Sequence, residues 1–487
     1  MVLRLLRCLM DFHSLKYFIF SSLFVISSQK LSVEQGATVY PQVYEDREDS
    51  SEKTVVINDG YSLHLRKASV FAARVLLREI TESGINERYL DGARLERYLH
   101  EDMDKEASLV IKPLIEGGYH VVGLLNSTHK IHPVELTQRM VTGKRAHMVS
   151  KLTVNEGIDG AAEIERNVRE ETVAERYIPG FQLPKNFTLE LFFASDFNHT
   201  AAFSDQDAHI EYVMLLVHSV SLHLQGLNPP GFVALTGIQA CYNMRNPHII
   251  LNNKGKVLGM ETINKMSGLH FTNATIAKAD ALYLATSRDI VGNRSGHMTS
   301  DVLGNAYIGG VCSAYKFAIG EDTPRTFSGL PTMVHEIGHL LGCHHDGEEE
   351  AKLCKSSLGY IMSPHAHGNR NYEFSKCSKK AVSVFLQHRS SSCLRRNDTQ
   401  RIVSSPKLAM QIRTVVNGAE FCKSFFLHQN NVSYIKVQGE DNCSFRCKIG
   451  NKNGQPNYAI LTAPNGVPCD NTKPYRECRN GFCHPYV

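Results

Sequence analysis

The chain has 487 residues, and its 53 Lys and Arg only just outnumber its 49 Asp and Glu. It is long enough for two or three cored domains, and its small net charge excludes steering to nucleic acid or an acidic membrane by bulk electrostatics. Twelve of the thirteen cysteines lie beyond position 240, a usage that argues for an oxidising compartment.

At the N-terminus Arg4, Arg7 and Lys16 precede an apolar run over residues 17–26 and then Ser27-Ser28. That is the order of a secretory signal, assigned to residues 1–28, and the run is too short to span a bilayer. Met10 would serve equally well as the start. No later apolar run approaches 18 residues, so the expectation is an exported chain with no membrane anchor. Eight N-x-S/T sequons, at Asn126, Asn186, Asn198, Asn273, Asn293, Asn397, Asn431 and Asn442, agree with that route.

Residues 29–180 hold no cysteine and read as a β-rich module. Residues 53–57 and 61–65 alternate around Asn58-Asp59-Gly60, which predicts a hairpin, and 107–111 and 119–125 are further strand candidates. Residues 147–180 are polar, most densely over 163–176, and read as an exposed linker suited to proteolytic removal. Lys144-Arg145 and Arg176 are candidate cleavage points.

From 181 to 395 the pattern mixes strands and helices. Residues 187–194, 232–238 and 281–285 predict strands. Residues 205–224 predict an amphipathic helix with Ile210, Val213, Met214, Val217, Val220, Ser221 and Leu224 on its apolar side. Residues 304–312 are short and glycine-flanked, like an edge strand.

The chemistry is concentrated in His335-Glu336-Ile337-Gly338-His339-Leu340-Leu341-Gly342-Cys343-His344-His345-Asp346. On a helix His335 and His339 stand at i and i+4, so both imidazoles leave one face and can converge on one cation. Glu336 lies beside that face, placed for water rather than metal, as a general base requires. Gly342 ends the helix because it turns left-handed without steric cost, and the turn returns His345 as a third ligand. Three neutral histidines leave an open position, as in catalytic rather than structural zinc sites. Pro331 opens the helix where a missing N–H costs nothing, and Met333, Ile337, Leu340 and Leu341 form its buried side. His344, His365 and His367 read as surface or pocket-wall histidines.

The extended motif resembles that of the metzincin peptidases, and Asp346 after the third histidine makes it similar to their reprolysin branch, the ADAM and snake-venom metalloprotease group. Met362 in Tyr360-Ile361-Met362-Ser363-Pro364 matches the family's methionine turn, 17 residues after His345. The layout is similar to that of tick salivary gland metalloproteases.

The resemblance implies an α/β (α+β) zincin-like domain at 181–395, with a mixed five-stranded sheet and an active-site helix. It also implies that residues 29–180 are a propeptide, looser similarities being Gly123-Leu124-Leu125-Asn126-Ser127-Thr128 and Ile131-His132-Pro133. This propeptide lacks the cysteine that silences many relatives, so latency would need steric cover or another ligand. By the same resemblance Ala306, Tyr307, Ile308 and Gly309 border the cleft and pair with substrate backbone, and residues 363–370 help shape the pocket beyond the scissile bond. Glu190 and Asp280 match two ligands of a structural calcium ion, although Arg396 stands about where an asparagine is expected.

Six cysteines in this domain allow fifteen pairings. The resemblance favours Cys312 with Cys393 and Cys354 with Cys377, leaving Cys241 and Cys343 as a remaining pair. Residues 396–487 carry six more, Cys422, Cys443, Cys447, Cys469, Cys478 and Cys483, and a module this short implies three crosslinks. It resembles the cysteine-rich module of ADAM-TS and tick proteins, which implies docking on matrix or host protein, with a stabilising cap as the alternative. The expected function is a secreted zinc endopeptidase, a saliva or venom component acting on matrix or clotting proteins. The alternative is a catalytically silent binder working through residues 396–487, and the intact Glu336 favours the enzyme.

Overall fold

The computed structural model describes residues 36–45, 52–58, 61–115, 117–134, 145–153, 158–159, 182–294, 297–365 and 372–396, with short pieces between 419 and 485. The signal at 1–28, Lys144, Arg176, His367 and most of the 147–180 segment lie outside the described residues.

Period-two alternation builds the first half of the chain. Strands β1 (Ala37–Val39), β2 (Gln42–Glu45), β3 (Lys53–Asn58) and β4 (Tyr61–Lys67) open it, and β3 and β4 pair antiparallel as the hairpin pattern requires. Val55, Ile57, Leu63 and Leu65 are buried on one face. Next come β5 (Phe71–Thr81), β6 (Gly84–Asp91), β7 (Leu99–Asp102), β8 (Ala107–Pro113), β9 (Tyr119–Asn126), β10 (His129–Pro133) and β11 (His147–Lys151). A nine-stranded antiparallel sheet runs β1-β11-β10-β9-β8-β7-β4-β3-β2. The linker reading therefore fails at its front: residues 147–151 are a strand between β1 and β10, with His147 and Val149 buried. Their polarity is one face of a half-buried strand, not solvation.

Strands β5 and β6 leave that sheet for the second one. After the two-residue β12 (Ile158–Asp159) come β13 (Phe187–Ser195), β14 (Gly231–Cys241), β15 (Val257–Leu258), β16 (Ala281–Thr286), β17 (Ile290–Arg294), β18 (His297–Ala306) and β19 (Phe317–Glu321). The order is β15-β17-β18-β19-β16-β13-β14-β5-β6, with β12 against β18. The sheet is thus ten-stranded and mixed rather than five-stranded: β13, β14, β16 and the end of β18 are the strands expected at 187–194, 232–238, 281–285 and 304–312, and β19 is one that no expectation named. The others come from the 257–294 segment and from the N-terminal module, whose β5 runs parallel to β14 and caps an otherwise open edge.

Three helices matter for the site: α1 (Gln206–Leu224), α2 (Leu330–Leu340) and α3 (Lys376–Phe385). The side chain of Asp205 caps α1 by accepting from Ala208 N, 2.8 Å. The amphipathic expectation for α1 is corrected, because nearly every residue from His209 to Leu224 is buried. The helix lies between β8 and β9 on one side and β14 and α2 on the other, so from Tyr212 onward no side of it meets water. One apolar core joins Val110 and Leu124 of the N-terminal module to Leu215, Leu216, Val233 and Met333. Packing therefore crosses the sequence boundary near residue 181.

Polar contacts cross it as well. His218 of α1 places Nε2 2.9 Å from Glu101 and Nδ1 2.8 Å from Ser108, and buried Arg78 donates to Gln239, 2.8 Å.

Two disulfides tie the second half, Cys312–Cys393 and Cys354–Cys377. The remaining pair is overturned: Cys241 and Cys343 are both buried free thiols, and each sulfur turns to a nearby carbonyl, Asn243 O and Ser378 O. In the last segment Cys422 bonds Cys447, and two three-stranded sheets are described, Val432–Ile435 with Ser444–Lys452 and Gln455–Thr462, and Pro468–Asp470 with Arg476–Arg479 and Phe482–Pro485. The side chains of Cys443, Cys469, Cys478 and Cys483 lie outside the described residues. No described helix is long and apolar enough to cross a membrane.

Candidate metal centre

The helix α2 packs on β18 and β19 and carries His335, Glu336 and His339. Its start is held from below by Asp322: Oδ1 accepts Gly329 N at 2.8 Å, while Oδ2 accepts the Tyr212 hydroxyl at 2.7 Å and faces His199 Nε2 at 2.9 Å. All three side chains are buried, and burial together with the Asp322 charge pushes the Tyr212 hydroxyl far up. Nothing in the sequence announced this support, because its partners lie 110 and 123 positions apart.

At the other end Gly342 has φ +93°, which an L side chain rarely adopts, and a Cβ there would press on Phe385. The chain turns and returns His345 to His339.

The tautomers of the three histidines follow from their partners. Nδ1 of His335 lies 2.6 Å from Ile361 O, and Nδ1 of His339 lies 2.7 Å from Cys343 O. A carbonyl only accepts, so both Nδ1 atoms carry hydrogen and both Nε2 atoms present lone pairs. Nδ1 of His345 lies 3.2 Å from Glu348 Oε2, with the same consequence. The Nε2 atoms of His335 and His339 are 3.0 Å apart, and those of His339 and His345 are 3.2 Å apart. Ligands at about 2.0–2.1 Å from a tetrahedral zinc would be spaced by roughly 3.3 Å. Three lone pairs aimed at one point fit a cation, and these histidines form a group able to hold a metal ion.

Glu336 is 1% exposed and lies against Gly304 of β18, where a Cβ would fall 2.2 Å from its Oε1. Gly304 is therefore a glycine so that the cleft strand can approach the carboxylate. Beneath the helix, buried Met362 puts its sulfur 2.5 Å from where a Gly338 Cβ would sit. Asp346 is fully buried, its amide donating to Met362 O at 2.8 Å and its Oδ1 accepting the Ser375 hydroxyl at 2.6 Å, so it ties the loop of the third histidine to the cap of α3. Burial raises its pKa.

The strand expected over 304–312 is shorter: β18 ends at Ala306, its residues Gly304 to Ala306 pair with β19 on one side, and β12 meets Gly304 on the other, where β17 pairing has stopped at Val302. Tyr307, Ile308 and Gly309 form the bend that follows, with the Gly309 amide donating to His339 O at 2.8 Å. Left-handed backbone follows at Gly309 and Cys312, φ +70° and +62°.

Glu190 and Asp280 meet through the Glu190 main chain: Glu190 N donates to the Asp280 carboxylate Oδ2 at 2.9 Å, and Asp280 N donates to Glu190 O at 2.8 Å. Burial pushes Asp280 up to about 7. Buried Lys316 nearby donates to Ala277 O at 2.8 Å. Among the described residues Asp280 groups with Cys312 and Cys393, which are bonded to each other, and not with Glu190.

Residues 262–397 match the family described as reprolysin (M12B) family zinc metalloprotease. Over 384 residues the chain is 27% identical to the venom metalloproteinase antarease of Tityus serrulatus, covering 73% of this chain and 92% of that protein. It is 26% identical over 316 residues to the venom metalloproteinase BumaMPs1 of Olivierus martensii, covering 63% and 79%. A shorter stretch of 97 residues is 43% identical to a disintegrin and metalloproteinase with thrombospondin motifs 16 of Homo sapiens, covering 19% and 8%. Site and similarities together define a metalloendopeptidase. Within that class, residues 262–397 are similar to the reprolysin (M12B) family, and the longer matches are to venom metalloproteinases.

Proposed function

We propose that this chain is a secreted zinc endopeptidase of extracellular proteins, matrix or clotting proteins among them, synthesised with its own cleft cover. One observation carries the reading: three histidine Nε2 atoms converge, with neighbouring separations of 3.0 and 3.2 Å, beside a carboxylate buried against the cleft strand. The venom relatives support export and a protein substrate.

His335, His339 and His345 would hold the zinc. Bound there, the ion supplies Lewis acidity and lowers the pKa of a coordinated water from 15.7 to about 7. Glu336 accepts the proton of the attacking water and returns it to the leaving amine. Its burial keeps bulk water from competing for that proton. Residues 306–309 hold the substrate main chain beside the helix. Residues 29–180 act as the propeptide, 181–395 as the peptidase and 396–487 as a docking module. Latency without a propeptide cysteine comes from steric cover, supported by β12, whose Ile158 and Asp159 pair with Val302 and Gly304 of β18. The second of these partners is the glycine against Glu336.

The test uses the full zinc-loaded chain carrying a specific protease site after Arg176, assayed on fibrinogen and gelatin before and after nicking, with and without chelator, and as Glu336→Ala. Cleavage that appears on nicking and vanishes with chelator or with the substitution is the expected result. A nicked, zinc-loaded wild type that cleaves neither these nor a mixed peptide library would overturn the enzyme in favour of a binder acting through residues 396–487.

A further inference from the structure

The three histidines are not held alike. His335 and His339 are oriented by main-chain carbonyls, those of Ile361 and Cys343, which the fold supplies whatever side chains stand there. His345 lies beyond the turn, with 12% of its side chain exposed, and its Nδ1 faces a side chain, Glu348 Oε2 at 3.2 Å. We infer that Glu348 is a positioning residue for the third metal ligand, fixing the ring of His345 so that Nε2 faces the other two; this rests on the zinc reading above.

The backbone makes Glu348 fit for the task. Its amide donates to His345 O at 3.1 Å, and its carbonyl accepts Ala351 N at 2.8 Å. Gly347, at φ +93°, turns the chain between them. The carboxylate is thus presented three residues after the ring by a closed turn, and the Cys354–Cys377 disulfide anchors the far side of the loop. A carboxylate behind an imidazole fixes the tautomer and raises the ring's basicity, and loss of such a partner typically costs 10–100-fold in metal affinity. With 59% of its side chain exposed, Glu348 adds little to folding, since ion pairs in water are weak. Its effect is therefore on the metal.

The experiment measures zinc release from the full chain to excess chromogenic chelator, with zinc content by atomic absorption and a urea midpoint for each variant. Glu348→Ala is expected to bind zinc about 10–100-fold more weakly at an unchanged urea midpoint. Glu348→Gln, whose amide oxygen still accepts, is expected to lie between it and wild type. Glu350→Ala, which removes an equal charge exposed on the same loop, is expected to match wild type. Wild-type zinc retention in Glu348→Ala, or equal loss in Glu350→Ala, would overturn the assignment. A wild type holding much less than one zinc per chain would overturn the zinc reading itself, which is a separate result.

Discussion

The loop that carries the three histidines and the seam between the N-terminal module and the rest of the chain are encoded differently. In the loop every part lies close in sequence: the partner of the first ligand is 26 residues away, and those of the second and third are 4 and 3 away. Each part obeys a local rule, a helical repeat, a left-handed glycine, a turn. At the seam the partners are remote, Glu101 with His218 over 117 positions and Arg78 with Gln239 over 161. Chemistry here is written in spacing, whereas association between halves is written only as an excess of apolar surface on α1.

That contrast predicts opposite mutant phenotypes. Glu336→Ala should lower peptide hydrolysis by about 10³-fold while the zinc content and the urea midpoint stay near wild type. Leu215→Ala, at a side chain 1% exposed within the shared core and against Gly123 of the N-terminal module, should do the reverse. It should cost about 2–5 kcal/mol of stability, read as a lowered urea midpoint, with the zinc ligands intact. If Leu215→Ala left the midpoint unmoved, the seam would be mere contact and not core.

Gly304→Ala probes the border between the two regions. The added methyl would lie 2.2 Å from Glu336 Oε1, so the carboxylate must move by about 1 Å, and a misplacement of that order costs about 10²-fold in rate. Zinc content should not change. An alanine variant of wild-type activity would mean that the cleft strand yields, and that closeness to Glu336 is not why a glycine stands there.

These residues also mark where sequence reading succeeds. The motif from His335 to Asp346 carries its own geometry, so the convergence of its three histidines and the turn at Gly342 are legible without coordinates. The strands at 53–57, 61–65, 187–194 and 281–285 are legible because alternation or an apolar run names them. Helix α1 was legible as a helix but not as a buried one, since His209, His218 and His223 read as polar while the fold gives each a partner. Likewise the pairing of β5 with β14 leaves no local mark: a parallel neighbour more than a hundred residues distant is chosen by an open edge. Asp322 and Glu348 were missed for a simpler reason. An acid that supports another residue looks, in sequence, like any solvated acid.

The smallest expected effect separates the two regions by pH. Burial lowers His147, in β11 of the N-terminal module, to about 4, and burial with the neighbouring His199 charge lowers His209, on α1, to about 3. The ordinary value is about 6.5. Both folded pKa values lie below the unfolded one, so the unfolded chain binds more protons between them. The stability held by the neutral rings is therefore complete above pH 6.5 and is lost on acidification, toward pH 4 for His147 and pH 3 for His209. Each ring contributes about 1.4 kcal/mol per pH unit within its window. Protonating His147 also removes the acceptor of Val121 N, which its Nε2 holds at 3.1 Å. The urea midpoint should fall between pH 7 and pH 5 in wild type and fall less in His147→Gln, whose amide oxygen can still accept from Val121. Equal slopes in the two proteins would mean that the N-terminal module carries no share of the acid sensitivity, and that the seam transmits less between the halves than its shared core implies.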